Sequence, residues 1–380
     1  MRNWSVPSLL IFFVLGGCGA APRDQTVRTY YIAADEVAWN YAPNGIDDVS
    51  GKPFDDMERA YAVRSRHHIG SVYLKAIYRE YTDASFTKIK PRPADQGYLG
   101  FLGPIIHAEV GDEIRIVFKN NASRPYSMHP HGVFYEKASE GMAYHDGSSA
   151  AGKVGGAVPP GHTYTYTWQV PDRAGPGPQD PSSIVWLYHS HVDEQRDVDS
   201  GLVGAIVVTA RGMANPDGTP RDVDREFVTL FHIVNENQSW YFDHNVATYV
   251  PALKRSQRAE AIPIDSDGAF TLNGSGFADA NFKASINGYI YGNGPKMVMQ
   301  RGEHVRWYVV DVGNGFDFHT PHWHGNTVLW DKQRTDVIAL SPAQMTTADM
   351  VPDDAGVWLF HCHVADHMDA GMSAFYQVLP

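Results

Sequence analysis

The chain has 380 residues, with 31 Lys plus Arg against 43 Asp plus Glu and a formal net charge of −12. That balance excludes a protein built to bind nucleic acid, whose surface must be basic, and favours small cations or neutral molecules as partners. The length allows two ordinary domains, each with its own core, and 35 Gly and 24 Pro in a chain that is 12% aromatic point to turn-rich all-β structure.

Met1-Arg2-Asn3 carries one positive charge, and Val6 to Leu15 is a mostly apolar run too short to cross a bilayer as a helix. Residues 1–17 are therefore read as a secretory signal. Leu15-Gly16-Gly17-Cys18 resembles a bacterial lipobox. It implies an acylated Cys18 that holds an exported, periplasmic or cell-surface protein to a membrane. Residues 18–29 form a polar tether. The only other cysteine is Cys362, so with Cys18 lipidated no disulfide forms within the chain and Cys362 needs another role.

From Thr29 onward, short runs rich in Tyr, Val and Ile alternate with Gly, Pro and Asp turns. Strands are predicted over 112–118, 163–170 and 201–208 in a first domain, residues 30–211. The polar stretch 212–226 is read as a linker. Strands over 227–232, 303–310, 357–359 and 373–378 belong to a second domain, residues 227–380, and no long amphipathic helix is predicted. Tyr188-His189-Ser190-His191 with the later Gly201-Leu202 parallels Phe360-His361-Cys362-His363 with Gly371-Met372. Such a repeated scheme predicts two related β-sandwiches.

Ten of the 18 His fall in four clusters: His129-Pro130-His131, His189-Ser190-His191, His319-Thr320-Pro321-His322-Trp323-His324, and His361-Cys362-His363 with His367. The others, His67, His68, His107, His145, His162, His232, His244 and His304, are read as structural. Residues i and i+2 of a strand point the same way, roughly 7 Å apart, so each His-X-His presents two imidazoles to one side. Imidazole alone does not name a metal; a sulfur narrows the choice. In His361-Cys362-His363 the thiolate points away from its flanking imidazoles, so one strand serves two sites. Cys362, His367 and Met372, with an imidazole from His319, make the Cys, two His and weak axial Met of a blue-copper electron-transfer site. Structural zinc would want more cysteines and no Met.

The four clusters resemble the four copper motifs of multicopper oxidases. Tyr30 to Tyr41, Tyr188 to Gly201, Glu236 to Tyr241 and His361 to Met372 are similar to stretches of ceruloplasmin and hephaestin, and bacterial two-domain laccases have a similar motif set. The resemblance implies two cupredoxin-like Greek-key β-sandwiches holding about four coppers per chain. Type 1 copper would sit on His319, Cys362, His367 and Met372, and type 2 on His129 and His322. The type 3 pair would take His131, His189, His191, His324, His361 and His363. Ser190, standing where a type 1 site needs Cys, leaves the first domain without a blue copper.

The resemblance further implies that a small reducing substrate gives electrons at type 1 copper, that dioxygen becomes water at the three-copper cluster, and that Glu140 relays protons. Ferrous ion, phenolic or aromatic donors and cuprous ion all stay open as substrates. Asp366, with Asp279 as a second, matches acidic positions of a ferrous site, whereas Ala284 stands where that site has His. A copper-containing nitrite reductase would carry its blue copper in the first half and lack the full His set. A copper store or electron carrier would need one site and consume no dioxygen. The cluster ligands divide evenly between the halves, and ceruloplasmin's six-domain ring joins domains distant in sequence at its cluster. Three two-domain chains would restore that ring, which implies a homotrimer with clusters between subunits.

Overall fold

The computed structural model describes residues 25–253, 272–274, 276–313 and 318–380. The signal, Cys18 and the start of the tether lie outside the described residues. In the first half the strands are β1 (Val27–Asn40), β2 (Val72–Tyr81), β3 (Ile106–Glu109), β4 (Glu113–Asn120), β5 (His129–Pro130), β6 (Phe134–Tyr135), β7 (Thr163–Gln169), β8 (Ser183–His189) and β9 (Val203–Thr209). In the second they are β10 (Arg225–Asn235), β11 (Phe282–Ile286), β12 (Met297–Gln300), β13 (Val305–Asp311), β14 (Pro321–Trp323), β15 (Val328–Trp330), β16 (Gln333–Thr335), β17 (Met345–Met350), β18 (Gly356–Cys362) and β19 (Ser373–Leu379). Among the described residues the α-helices are short: α1 (Asp56–Ala62), α2 (Glu194–Asp199), α3 (Phe242–Tyr249) and α4 (Ala365–Asp369). The all-β expectation holds.

Each half folds as two sheets, in the orders β2-β1-β4-β7-β6 with β3-β9-β8-β5, and β11-β10-β13-β17-β15-β16 with β12-β19-β18-β14. The repeat seen in the motifs extends to pairing. Parallel β1 with β4 recurs as β10 with β13, and parallel β3 with β9 as β12 with β19. Antiparallel β5 with β8, which carries the first two His motifs, recurs as β14 with β18.

Element ends move by a few residues from their predicted places, for reasons of pairing. β1 begins inside the predicted tether because Val27 already runs beside Glu113 of β4. β10 begins inside the predicted linker because Arg225 pairs with Val305 of β13, while its guanidinium holds Glu303 at 2.9 Å.

The expectation of one separate core per half fails. Ile116, Tyr166, Trp168, Tyr188 and Ile206 do form a cluster within the first half. On the opposite faces of β8 and β9, however, Val185, Leu187, Val203, Ala205 and Val207 join a second cluster with Phe227, Trp307, Trp323 and Phe360. That cluster crosses from one half to the other. Covered on both sides, β9 is buried at every position, which is why its sequence is a continuous apolar run rather than an alternation.

α1 reaches across the same junction. Asp55 caps it by accepting the backbone N–H groups of Met57 and Glu58, and the Glu58 carboxylate accepts the Asp55 N–H in return. Fixed in this way, the helix buries Tyr61 completely.

Candidate metal centres

β18 pairs with β14 so that Cys362 lies opposite Pro321 and His361 opposite His322. Alternation along the strand turns the sulfur and the imidazoles to different sides. On the sulfur side, Cys362 is fully buried, with Sγ 3.8 Å from Nδ1 of His319 and 3.7 Å from Nδ1 of His367. The Thr320 N–H donates to the sulfur at 3.4 Å. Met372 is also fully buried. The Cys362 N–H donates to its carbonyl at 3.1 Å, and the Met372 N–H closes back on His367 at 2.9 Å. Burial pushes the thiol up, but the two imidazoles outweigh it and bring it down to about 6. A thiolate flanked by two imidazole nitrogens, with a thioether residue beside it, fits copper.

On the imidazole side, Nε2 of His361 lies 3.0 Å from Nε2 of His324 and 3.2 Å from Nδ1 of His322. The His363 ring lies 5.3 Å from that of His322. In the first half, β5 and β8 place His129 opposite His189. Nε2 of His131 lies 3.0 Å from Nε2 of His189, and the His129 and His191 rings lie 5.0 Å apart. Nδ1 of His189 donates to the Ser190 carbonyl at 3.0 Å, and Nδ1 of His361 to the Cys362 carbonyl at 2.7 Å. His129 does the same toward the Glu140 carbonyl at 2.6 Å. These bonds leave each Nε2 lone pair free for a metal.

Burial first, then neighbouring imidazoles, holds His131 down to about 4 and His189 to about 3. His322 and His361 are lowered for the same reasons, as is His129 by burial. Neutral, converging imidazoles are the state a cation requires. Among the described residues, no hydrogen bond, ion pair or ring contact joins the first-half quartet to the second-half one. Each is half of the predicted eight-His set.

The position of Cys362 in the first half belongs to Ser190. Its hydroxyl accepts the Ser127 N–H at 3.0 Å and donates to Asp197 at 2.6 Å. The buried Asp197 carboxylate also accepts Trp240 Nε1 at 2.9 Å and the Val192 N–H at 3.0 Å. The turn after each first His motif is packed alike. Gly132 and Gly325 adopt φ of +71° and +74°, and an added Cβ would meet the Trp186 indole at 2.1 Å in one and the Trp358 indole at 2.4 Å in the other.

The remaining predicted residues fall in varied places. Glu140 is buried, and it meets the quartet through its backbone carbonyl on His129; its carboxylate is paired with Lys137, which also holds Asp146 at 2.7 Å. Asp366 lies on α4, one residue before His367. Asp279 is buried, taking the Tyr61 hydroxyl at 3.2 Å and the Asn273 N–H at 3.1 Å. Tyr61 is raised by burial first, then by Asp279, with Asp366 also contributing, so both carboxylates lie near it. Ala284 is fully buried in β11 opposite Ile233, within the apolar cluster. Sequence reasoning missed Tyr61, Ser127, Asp197, and Asp336, which lies 3.6 Å from Nε2 of His322. No spacing rule announces such partners.

Comparison with known proteins agrees with this geometry. Profiles of the multicopper oxidase family match residues 98–213 and 262–380. The chain is 41% identical over 362 residues to hephaestin of Mus musculus, and 42% identical over 373 residues to ferroxidase HEPHL1 of Homo sapiens. These alignments cover 94% and 97% of the chain but 30% of each relative, so the chain spans under a third of their length. Among solved structures, the multicopper oxidase mgLAC superposes with a TM-score of 0.57 at 18% identity, over 93% of this chain and 86% of that one. That likeness shows the fold, a cupredoxin arrangement of β-sandwiches.

Proposed function

The chain belongs to the multicopper oxidase family, and from that premise we propose that it couples one-electron oxidation of a reducing substrate to four-electron reduction of dioxygen to water. One observation carries this reading: β18 presents Cys362 to two imidazoles on one side and His361 to two more on the other. His319, Cys362, His367 and Met372 hold type 1 copper. His129 and His322 hold type 2 copper, and His131, His189, His191, His324, His361 and His363 the type 3 pair. Copper bound at these places supplies a one-electron acceptor near the substrate and a multi-electron donor to dioxygen.

The protein's own residues set the conditions for that chemistry. Burial of Cys362 keeps water from the sulfur, and the adjacent peptide to His361 is the shortest covalent route between the two sites. Carbonyls of Glu140, Ser190 and Cys362 fix imidazole tautomers. The Glu140 carboxylate is the proton relay, held beside the His129 loop by Lys137.

The substrate is ferrous ion. Asp366 adjoins a type 1 ligand, Tyr61 holds the buried Asp279 nearby, and a net charge of −12 attracts cations. One relative bears the name ferroxidase. An oxygen electrode with ferrous ion, cuprous ion, a phenol and an aromatic diamine tests both claims. Ferrous ion should drive the fastest uptake, and Asp366→Ala should depress ferrous oxidation far more than diamine oxidation. No uptake with any donor would refute an oxidase, and equal losses would refute the ferrous site.

The working unit is a homotrimer, in which the first-half quartet of each chain meets the second-half quartet of a neighbour. Mixing inactive His131→Ala and His363→Ala chains should regenerate some complete clusters and some activity; an active monomer would rule the trimer out. The exported chain loses residues 1–17 and is anchored through acylated Cys18, so membrane-fraction mass spectrometry should find Cys18 as the acylated N-terminus. A soluble product starting after Ala20 or Ala21 would exclude the anchor.

A further inference from the structure

Between α2 and the chain around β10 and the end of β13 lies a cavity of about 480 Å³, lined by Asp193, Glu194, Asp199, His232, Val312 and Gly313 among others. α2 starts three residues after His191, so the cavity is tied to the first-half quartet by sequence as well as by space. Asp199 is fully buried. Its Oδ1 accepts the Asn235 N–H at 2.8 Å and lies 3.6 Å from Nε2 of His232, while Oδ2 has no hydrogen-bond partner. A buried carboxylate oxygen without a donor is costly unless water or a cation visits it.

At the quartet side stands Glu194, half exposed. Its Oε2 lies 3.2 Å from Nε2 of His191 and its Oε1 3.9 Å from Nε2 of His189. The carboxylates of the half-exposed Asp193, of Glu194 and of Asp199 thus line one cavity, and Glu194 joins it to the imidazoles of His189 and His191. Oxygen donors with an imidazole suit cupric ion. Among the described residues, the sets whose ligand atoms lie within 4.8 Å of one another are His319, Cys362 and His367, and His322, His324 and His361. The cavity donors are more spread, so they can hold an ion briefly and release it.

We propose that this cavity is a copper-loading port for the first-half imidazoles. Asp193, Asp199 and His232 take a cupric ion, and Glu194 passes it to His189 and His191. No electron is transferred; carboxylate oxygens leave the ion as imidazole nitrogens replace them. The inference rests on the copper reading above.

The test uses metal-free full-length protein mixed rapidly with cupric ion, quenched with a chelator at intervals, and assayed for bound copper and its paramagnetic resonance. Asp199→Asn and Asp193→Asn should each slow loading of the first-half quartet about tenfold, as loss of a steering carboxylate does, while final copper content and blue absorption match the wild type. If Asp199→Asn does not fold by circular dichroism, Asp193→Asn, whose side chain is 47% exposed, decides alone. Wild-type loading rates in the folded variants would overturn the port. A wild-type protein that takes up no copper would instead overturn the copper reading beneath it.

Discussion

Ser190 and Cys362 occupy the same place in two copies of one backbone frame. The Ser190 N–H donates to the Leu202 carbonyl at 3.2 Å, as Cys362 does to Met372 at 3.1 Å, and each side chain accepts the N–H of the residue two before a strand-paired His, Ser127 before His129 and Thr320 before His322. The His before each of them, His189 and His361, bonds the carbonyl of the next residue and has Nε2 3.0 Å from that of a partner imidazole. Only the side chains behind the strand differ. In the second half the sulfur faces two imidazoles; in the first the hydroxyl faces the Asp197 carboxylate, and the buried Tyr126 instead of an imidazole precedes Ser127. The frame is common to both halves, and the side chains behind it decide whether a sulfur meets two imidazoles or a hydroxyl meets a carboxylate.

That comparison breaks most visibly at the sulfur. Cys362→Ser should make the second half resemble the first: the blue band and all donor oxidation vanish, while copper analysis still finds metal on the eight imidazoles. A retained blue band would show the sulfur site to be elsewhere. Next in size is Asp197→Ala, which strips hydrogen-bond acceptors from Ser190, Trp240 and the Val192 and Asp193 N–H groups. Each lost bond costs about 1 kcal/mol, so urea denaturation of the metal-free protein should show about 4 kcal/mol less stability. A change within error would mean that the loop is held by other contacts. Smallest is Ser190→Cys. With Asp197 rather than imidazoles behind it, the new thiol should give no second blue band when copper is added. Appearance of one would show that the frame alone builds the site.

The His-X-His motifs were legible in the sequence because strand alternation has a period of two and imidazole at that spacing is rare. The sulfur site was legible because Cys, His and Met recur at short intervals on one strand and its following turn. Tyr61 was not, since it reaches Asp279 from 218 residues away. Nor was the shared core, because nothing in β8 or β9 says what covers their second faces. Glu140 was legible only as a residue following the His129 motif. Its contact with His129 is made by a carbonyl, which every residue has, and the pairing of its carboxylate with Lys137 is announced by no spacing.

The paired glycines carry a consequence for motion. At Gly132 and Gly325 the backbone lies close against an indole, and each indole N–H is anchored to the loop that precedes its own strand: Trp186 to the Ala174 carbonyl at 2.8 Å and Trp358 to the Asp354 carbonyl at 3.0 Å. A turn pressed onto a tethered ring cannot drift by itself; it must lift together with the loop that holds the ring. The histidine-bearing turn and the loop that anchors its indole therefore open as one unit, and their amide hydrogens should exchange with solvent on a common timescale in each half.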